Sequence, residues 1–140
     1  MAGHGNVVSA RRIAADLGVE RAVEFPGWEE GNQKWSLLAR ADILCLPSFA
    51  ECVPITLLEA MGPGVAVVTT PVGGIPDVVK NGVNSMLVEA GDITSIAKTL
   101  IRLLTDADLR RRLTDAGRRT VETMNSRPAT NSLRLRSRSL

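Results

Sequence analysis

With 140 residues, the chain is long enough for one domain around a single hydrophobic core. Its 44% hydrophobic and 23% charged residues are ordinary for a globular protein, and only Phe25, Trp28, Trp35 and Phe49 are aromatic, which leaves the core to aliphatic side chains. A net charge of +2 is too small to specify a polyanionic partner, and no apolar run reaches the roughly 18 to 20 residues that span a bilayer.

Residues 7–17 place Val8, Ile13, Ala14 and Leu17 on one face of a helix that Gly18 ends. "AVEF" (22–25) reads as a strand stopped by Pro26-Gly27, and residues 32–40 as a short helix carrying Trp35, Leu38 and Ala39. "DILCLP" (42–47) reads as a buried strand, and residues 54–61 of "ECVPITLLEAM" supply the helix that follows. "GVAVVTT" (64–70) has no polar alternation, as expected of a parallel strand covered on both faces. A turn rich in Gly and Pro, "PVGGIPDVV", leads to the strand "SMLVE" (85–89). Asp92 is placed to cap a helix whose inner face is Ile93, Ile96, Ala97, Leu100, Ile101 and Leu104. A last helix, 106–123, turns Leu109, Leu113, Ala116 and Val121 inward. Beyond Asn125 the periodicity stops, and 125–140 reads as an irregular, disordered tail whose four arginines suit a solvated end better than a nucleic-acid contact.

Strands alternating with helices imply an α/β fold, a parallel Rossmann-like sheet with helices on both faces. Ligands in such sheets sit at the carboxyl ends of the strands, which points to "PSFAECVP", "TTPVGGIP" and "PGWEEGN". Pro54 suits a first helical position, so the amides of Ile55, Thr56 and Leu57 would face the loop with the helix dipole behind them. Glu51 and Glu59 are hydroxyl acceptors at the two ends of the same stretch, although by composition alone each also suits an ordinary amphipathic helix. "VGGIP" lacks the G-x-G-x-x-G order of a dinucleotide fingerprint. His4, the only histidine, lies near the N-terminus and makes a nucleophilic pair with Cys52 improbable. Cys45 and Cys52 have neither metal nor disulfide spacing, as expected of reduced thiols in a cytoplasmic protein, and no ligand cluster suits zinc or magnesium.

The order of these motifs is more specific than any one of them. From "VEFPGW" through "LLARADILCLPSFAECVPITLLEAMGPGVAVVTTPVGGIPDVV", residues 17–122 resemble the C-terminal domain of the retaining glycosyltransferases of family 4, enzymes of the GT-B plan with two Rossmann-like domains. The resemblance centres on the family's E-x7-E element, here Glu51 and Glu59, with Pro47-Ser48, Glu59-Ala60-Met61 and Gly73-Gly74-Ile75-Pro76 in the expected order. It implies that Glu51 meets the hydroxyls of a donor sugar and Glu59 the ribose of its nucleotide. It further implies that Val53, Ile55 and Thr56 offer backbone donors, and that Gly27 and Trp28 lie near the base. The implied reaction is transfer of a sugar from a UDP- or GDP-linked donor with retention of configuration, without metal or cofactor; no catalytic base or nucleophile is assigned.

Three departures stand out. Cys52 occupies a position that is often glycine, where a positive φ would strain it; Ala66 replaces a proline, and Ser85 a glycine. The resemblance also implies that two earlier strands and an acceptor-binding N-terminal domain belong to the complete unit. Residues 1–124 are therefore expected to be a partial donor-binding domain that is inactive alone and has an unpaired edge at "DILCLP". The missing half would come from a longer gene product or a separate partner chain. Location is expected to be cytoplasmic, membrane-peripheral at most within a complete enzyme. A non-catalytic nucleotide-sugar-binding module, the donor subunit of a split transferase, an epimerase of the same plan and an inert remnant remain alternatives.

Overall fold

The computed structural model describes residues 5–52 and 55–126. The chain divides into two compact units, residues 1–37 and 38–140, and each is described by itself.

In the first unit, α1 (Val7–Asp16) is capped by Asn6, whose side chain accepts the Ser9 amide at 3.1 Å. It ends in a Schellman motif, with Val19 N–H bonded to Ala14 O and Gly18 N–H to Ala15 O while Gly18 takes φ +68°. Only Ala14 of the expected inner face is buried; Val8, Ile13 and Leu17 are exposed. The 3.6-residue period identified the helix, but a period supplies no partner surface. A 3₁₀ turn, Glu20–Ala22, replaces the start of the expected strand at 22–25. Val23 is extended, yet no strand ladder forms at 23–26, because extended backbone becomes a strand only when a neighbour pairs with it. The Arg11 guanidinium covers the Phe25 ring at 4.7 Å. Helix α2 (Gly31–Arg40) spans the division between the units, with Leu38 buried and Trp35 about half exposed.

The second unit is a parallel sheet in the order β1-β2-β3, formed by β1 (Ile43–Leu46), β2 (Ala66–Thr69) and β3 (Met86–Leu87). Ile43 pairs with Ala66 and Leu46 with Thr69, while Val68 pairs with Met86. Between the strands lie α3 (Ile55–Met61) and the one-turn α4 (Ile75–Val78); α5 (Ile93–Thr105) and α6 (Ala107–Asn125) follow. Strand β2 is buried along its whole length, and its side chains alternate between two cores. Val67 joins Leu57, Ala60, Met61, Ile75 and Val79 on one face; Ala66 and Val68 join Val88, Leu103, Leu109 and Leu113 on the other. At about 1.5–3 kcal/mol per buried aliphatic side chain, these two layers hold the unit together.

Helix α3 ends in another Schellman turn, Val65 N–H to Ala60 O and Gly64 N–H to Met61 O, with Gly64 at φ +93°. Helix α6 approaches α3 closely at Gly117, where a Cβ would stand 3.2 Å from Met61 Cγ. Asp92 caps α5 as expected, its carboxylate accepting the Ser95 amide at 3.0 Å. The inner face of α5 is narrower than expected. Ile96, Leu100 and Leu103 pack inward, while Ile93, Ile101 and Leu104 are exposed, because a three-stranded sheet offers one helix only a narrow contact stripe. Helix α4 stands where the sequence pattern predicts a turn; Pro76 in its first turn suits so short a helix. The strand expected at 85–89 shrinks to Met86–Leu87, although Val88 N–H still donates to Thr69 O. The last helix continues through Asn125, and the rest of the expected tail, residues 127–140, lies outside the described residues.

Candidate functional site

The loop after β1, residues 47–52, leaves the carboxyl end of the sheet beside the loop after β2, residues 70–74, because their parent strands are hydrogen-bonded neighbours. Glu51 is half-buried there, and one carboxylate oxygen accepts the Ser48 hydroxyl at 2.7 Å. A carboxylate has two oxygens and about four acceptor positions, so Ser48 orients the group without filling it. The Gly74 amide donates to the Cys52 carbonyl at 2.6 Å, tying the two loops together through the backbone. Phe49 projects from the same loop, 76% exposed, with its ring edge beside Gly91.

Glu59 is half-buried on α3, between Leu58 and the fully buried Ala60. Ile55 and Thr56 form the first turn of α3, where amides have no intrahelical acceptor. Val53 and Pro54 fall outside the described residues. Gly27 (φ +92°) and Trp28 belong to the first unit, where the indole N–H donates to Glu30; Glu51 and Glu59 belong to the second. Cys52 is exposed, and every described residue with positive φ is a glycine, so cysteine is unstrained at a position that glycine often fills. Ser85 is accommodated too, fully buried with its hydroxyl donating to Asn84 O at 2.8 Å. Burial raises the pKa of the half-buried Cys45 thiol above its ordinary value.

Ser48 and Thr70 carry no individual role in the sequence pattern, yet both support the Glu51 loop. Thr70, fully buried, donates its hydroxyl to Ser48 O at 2.6 Å. The available signal was two consecutive threonines ending a buried apolar strand, where a hydroxyl must find an acceptor. Among the described residues, no helix is long and apolar enough to cross a membrane.

Comparison with known proteins bears on the family and the fold. The model of the family described as glycosyl transferases group 1 matches residues 1–120. N-acetyl-alpha-D-glucosaminyl L-malate synthase of Bacillus anthracis is 37% identical over 110 residues, covering 79% of this chain and 28% of that relative. D-inositol 3-phosphate glycosyltransferase of Salinispora arenicola is 37% identical over 107 residues, covering 76% of this chain and 24% of its own length. The chain thus spans well under two thirds of these curated relatives. Anabaena Alr3699/HepE, solved in complex with UDP-glucose, shares the fold at a TM-score of 0.79 and 23% identity, covering 87% of this chain and 35% of that one. The C-terminal domain of the group 1 glycosyl transferase LpcC of Francisella tularensis superposes with a TM-score of 0.76 at 27% identity, covering 85% of this chain and 62% of that domain structure. With a parallel α/β sheet and a family match over residues 1–120, the chain belongs to the group 1 glycosyl transferases.

Proposed function

We propose that this chain is part of the nucleotide-sugar-binding half of a retaining glycosyltransferase, in which Glu51 accepts hydroxyls of the donor sugar and Glu59 accepts the ribose hydroxyls. The observation that carries the proposal is the Glu51 carboxylate, half-buried at the carboxyl end of β1 and turned by the Ser48 hydroxyl. A fixed carboxylate suits a vicinal diol, since its oxygens take paired O–H donors. The backbone amides of Ile55 and Thr56, in the first turn of α3, supply donors of the opposite kind, with Val53 beside them in sequence. Gly27 and Trp28 are assigned to the nucleotide base. The names of the relatives support this class of chemistry, as one is an N-acetyl-alpha-D-glucosaminyl L-malate synthase and another a D-inositol 3-phosphate glycosyltransferase. Sugar transfer belongs to the complete protein, in which an acceptor-binding domain or partner chain closes the cleft.

The test is calorimetric titration of the chain with UDP, UDP-glucose, GDP and GDP-mannose, repeated for Glu51→Gln and Glu59→Gln. Charge-assisted hydrogen bonds are worth about 1.5–3 kcal/mol, so Glu59→Gln should weaken nucleotide binding about tenfold or more. Glu51→Gln should weaken the nucleotide sugar and leave the free nucleotide unchanged. Equal affinities in wild type and both variants refute the assigned roles.

A further inference from the structure

The loop that carries Glu51 is held in place from β2 and the turn after it. Thr69 and Thr70, both fully buried, send their hydroxyls across to the β1 chain: Thr69 to Leu46 O at 2.9 Å and Thr70 to Ser48 O at 2.6 Å. Ser48, its carbonyl held in this way, turns its own hydroxyl to Glu51 at 2.7 Å. On the far side of Glu51, Gly73 takes φ +56°, and a Cβ there would land on the Glu51 carbonyl oxygen. Gly74 then binds the next carbonyl, that of Cys52, at 2.6 Å. The loop is therefore pinned before Glu51, at its side chain and just after it, with Gly73 passing close to its carbonyl.

We propose that Ser48, Thr70 and Gly73 are positioning residues that set the Glu51 carboxylate in one orientation, so that the oxygen not bonded to Ser48 is presented to the donor sugar. None of the three needs to touch the donor; each acts through Glu51. The clamp explains why a glycine stands at position 73, where both the backbone angle and the closeness of the Glu51 carbonyl forbid a side chain. It also explains why a threonine stands at position 70, just after β2, where a valine of the same shape would leave the Ser48 carbonyl without its donor. The assignment rests on the donor-binding reading of Glu51 and adds the means by which that carboxylate is held.

The experiment uses the full 140-residue chain, with UDP and UDP-glucose as probes and Ser48→Ala, Ser48→Thr, Thr70→Val and Gly73→Ala as variants. Ser48→Ala, Thr70→Val and Gly73→Ala should each weaken UDP-glucose about five- to tenfold and leave UDP unchanged, with Ser48→Thr restoring the wild-type ratio because it keeps the hydroxyl. A general loss of structure would weaken both probes together, and that result overturns the proposal. Two measurements without ligand decide the clamp separately. Three-bond couplings of the Glu51 side chain should report one rotamer in wild type and averaging in Ser48→Ala. The Gly74 amide should exchange at least about tenfold faster in Gly73→Ala, whose Cβ displaces the hydrogen-bonded loop. Unchanged couplings and unchanged exchange refute the clamp. If wild type binds UDP-glucose no more tightly than UDP, the donor reading fails, and the couplings and exchange rates alone then uphold or overturn the positioning.

Discussion

Asn84 offers a measurable handle on the second unit. It is 6% exposed, and its amide group makes three hydrogen bonds. Its oxygen accepts the Lys80 amide at 2.7 Å, and its nitrogen donates to Val78 O and to the Thr120 hydroxyl, both at 3.0 Å. One side chain thereby ties the turn before β3 to the end of α4 and to the middle of α6. Asn84→Leu keeps the approximate shape but strips two backbone groups, Lys80 N–H and Val78 C=O, of their partners; Thr120 keeps its bond to Ala116 O. Leaving a buried polar group unsatisfied costs about 1–3 kcal/mol. Lys80, Val78 and Asn84 line an open groove that admits water to this edge, so the lower half of that range applies to each group. The expected loss is about 2–4 kcal/mol, or about 8–16 °C in Tm at about 4 °C per kcal/mol.

The probe must be chosen with care. Trp28 and Trp35 both lie in the first unit, so the readout is taken from the second unit's own helices. Far-UV circular dichroism in urea, dominated by α5 and α6, reads the second unit. Asn84→Asp, which retains the acceptor for Lys80 N–H and loses both donors, should be destabilised as well. A loss below about 0.5 kcal/mol in Asn84→Leu would mean that these bonds hold nothing together, and the reasoning would be wrong.

Other consequences are open to similar checks. Asp106 caps α6 by accepting the Leu109 amide at 2.8 Å, so Asp106→Ala should cost about 1 kcal/mol in a urea melt. At Gly117, alanine gains about 1 kcal/mol of helix propensity against a tight contact with the flexible Met61 and should be near neutral, whereas Gly117→Leu should lose about 1–3 kcal/mol by forcing α6 off α3. Of the two thiols, exposed Cys52 should react with a maleimide at neutral pH. Cys45 should lag until the pH rises above the ordinary thiol range, since burial disfavours its thiolate; peptide mapping that finds equal labelling would contradict this. The same raised value means that the contribution of Cys45 to stability is present at neutral pH and lost as the solution becomes alkaline enough to ionise the unfolded thiol.

Local chemistry made much of the second unit legible in advance. Helix α5 was visible from Asp92 and the spacing of Ile93, Ile96, Ala97, Leu100, Ile101 and Leu104, although that spacing passed over the fully buried Leu103; α6 was visible from Leu109 and Leu113, and β2 from an unbroken β-branched run, because these signals depend on residues a few positions apart. The E-x7-E pair and the motifs around it identified the family, since a series of short motifs in order needs no geometry to be recognised. Whether "AVEF" becomes a strand depends on a pairing neighbour, and which half of the apolar stripe of α5 is buried depends on the width of the sheet beneath it. The tolerance of Cys52 depends on its backbone angle, which lies outside the positive-φ region that every described residue but glycine avoids. The clamp on Glu51 joins Ser48 to Thr70 and Cys52 to Gly74, pairs separated by about twenty residues that meet only because β1 and β2 lie side by side. Short-range order was therefore determined by the residues themselves, while the orientation of the acceptor carboxylate was decided by contacts that only a folded sheet brings together.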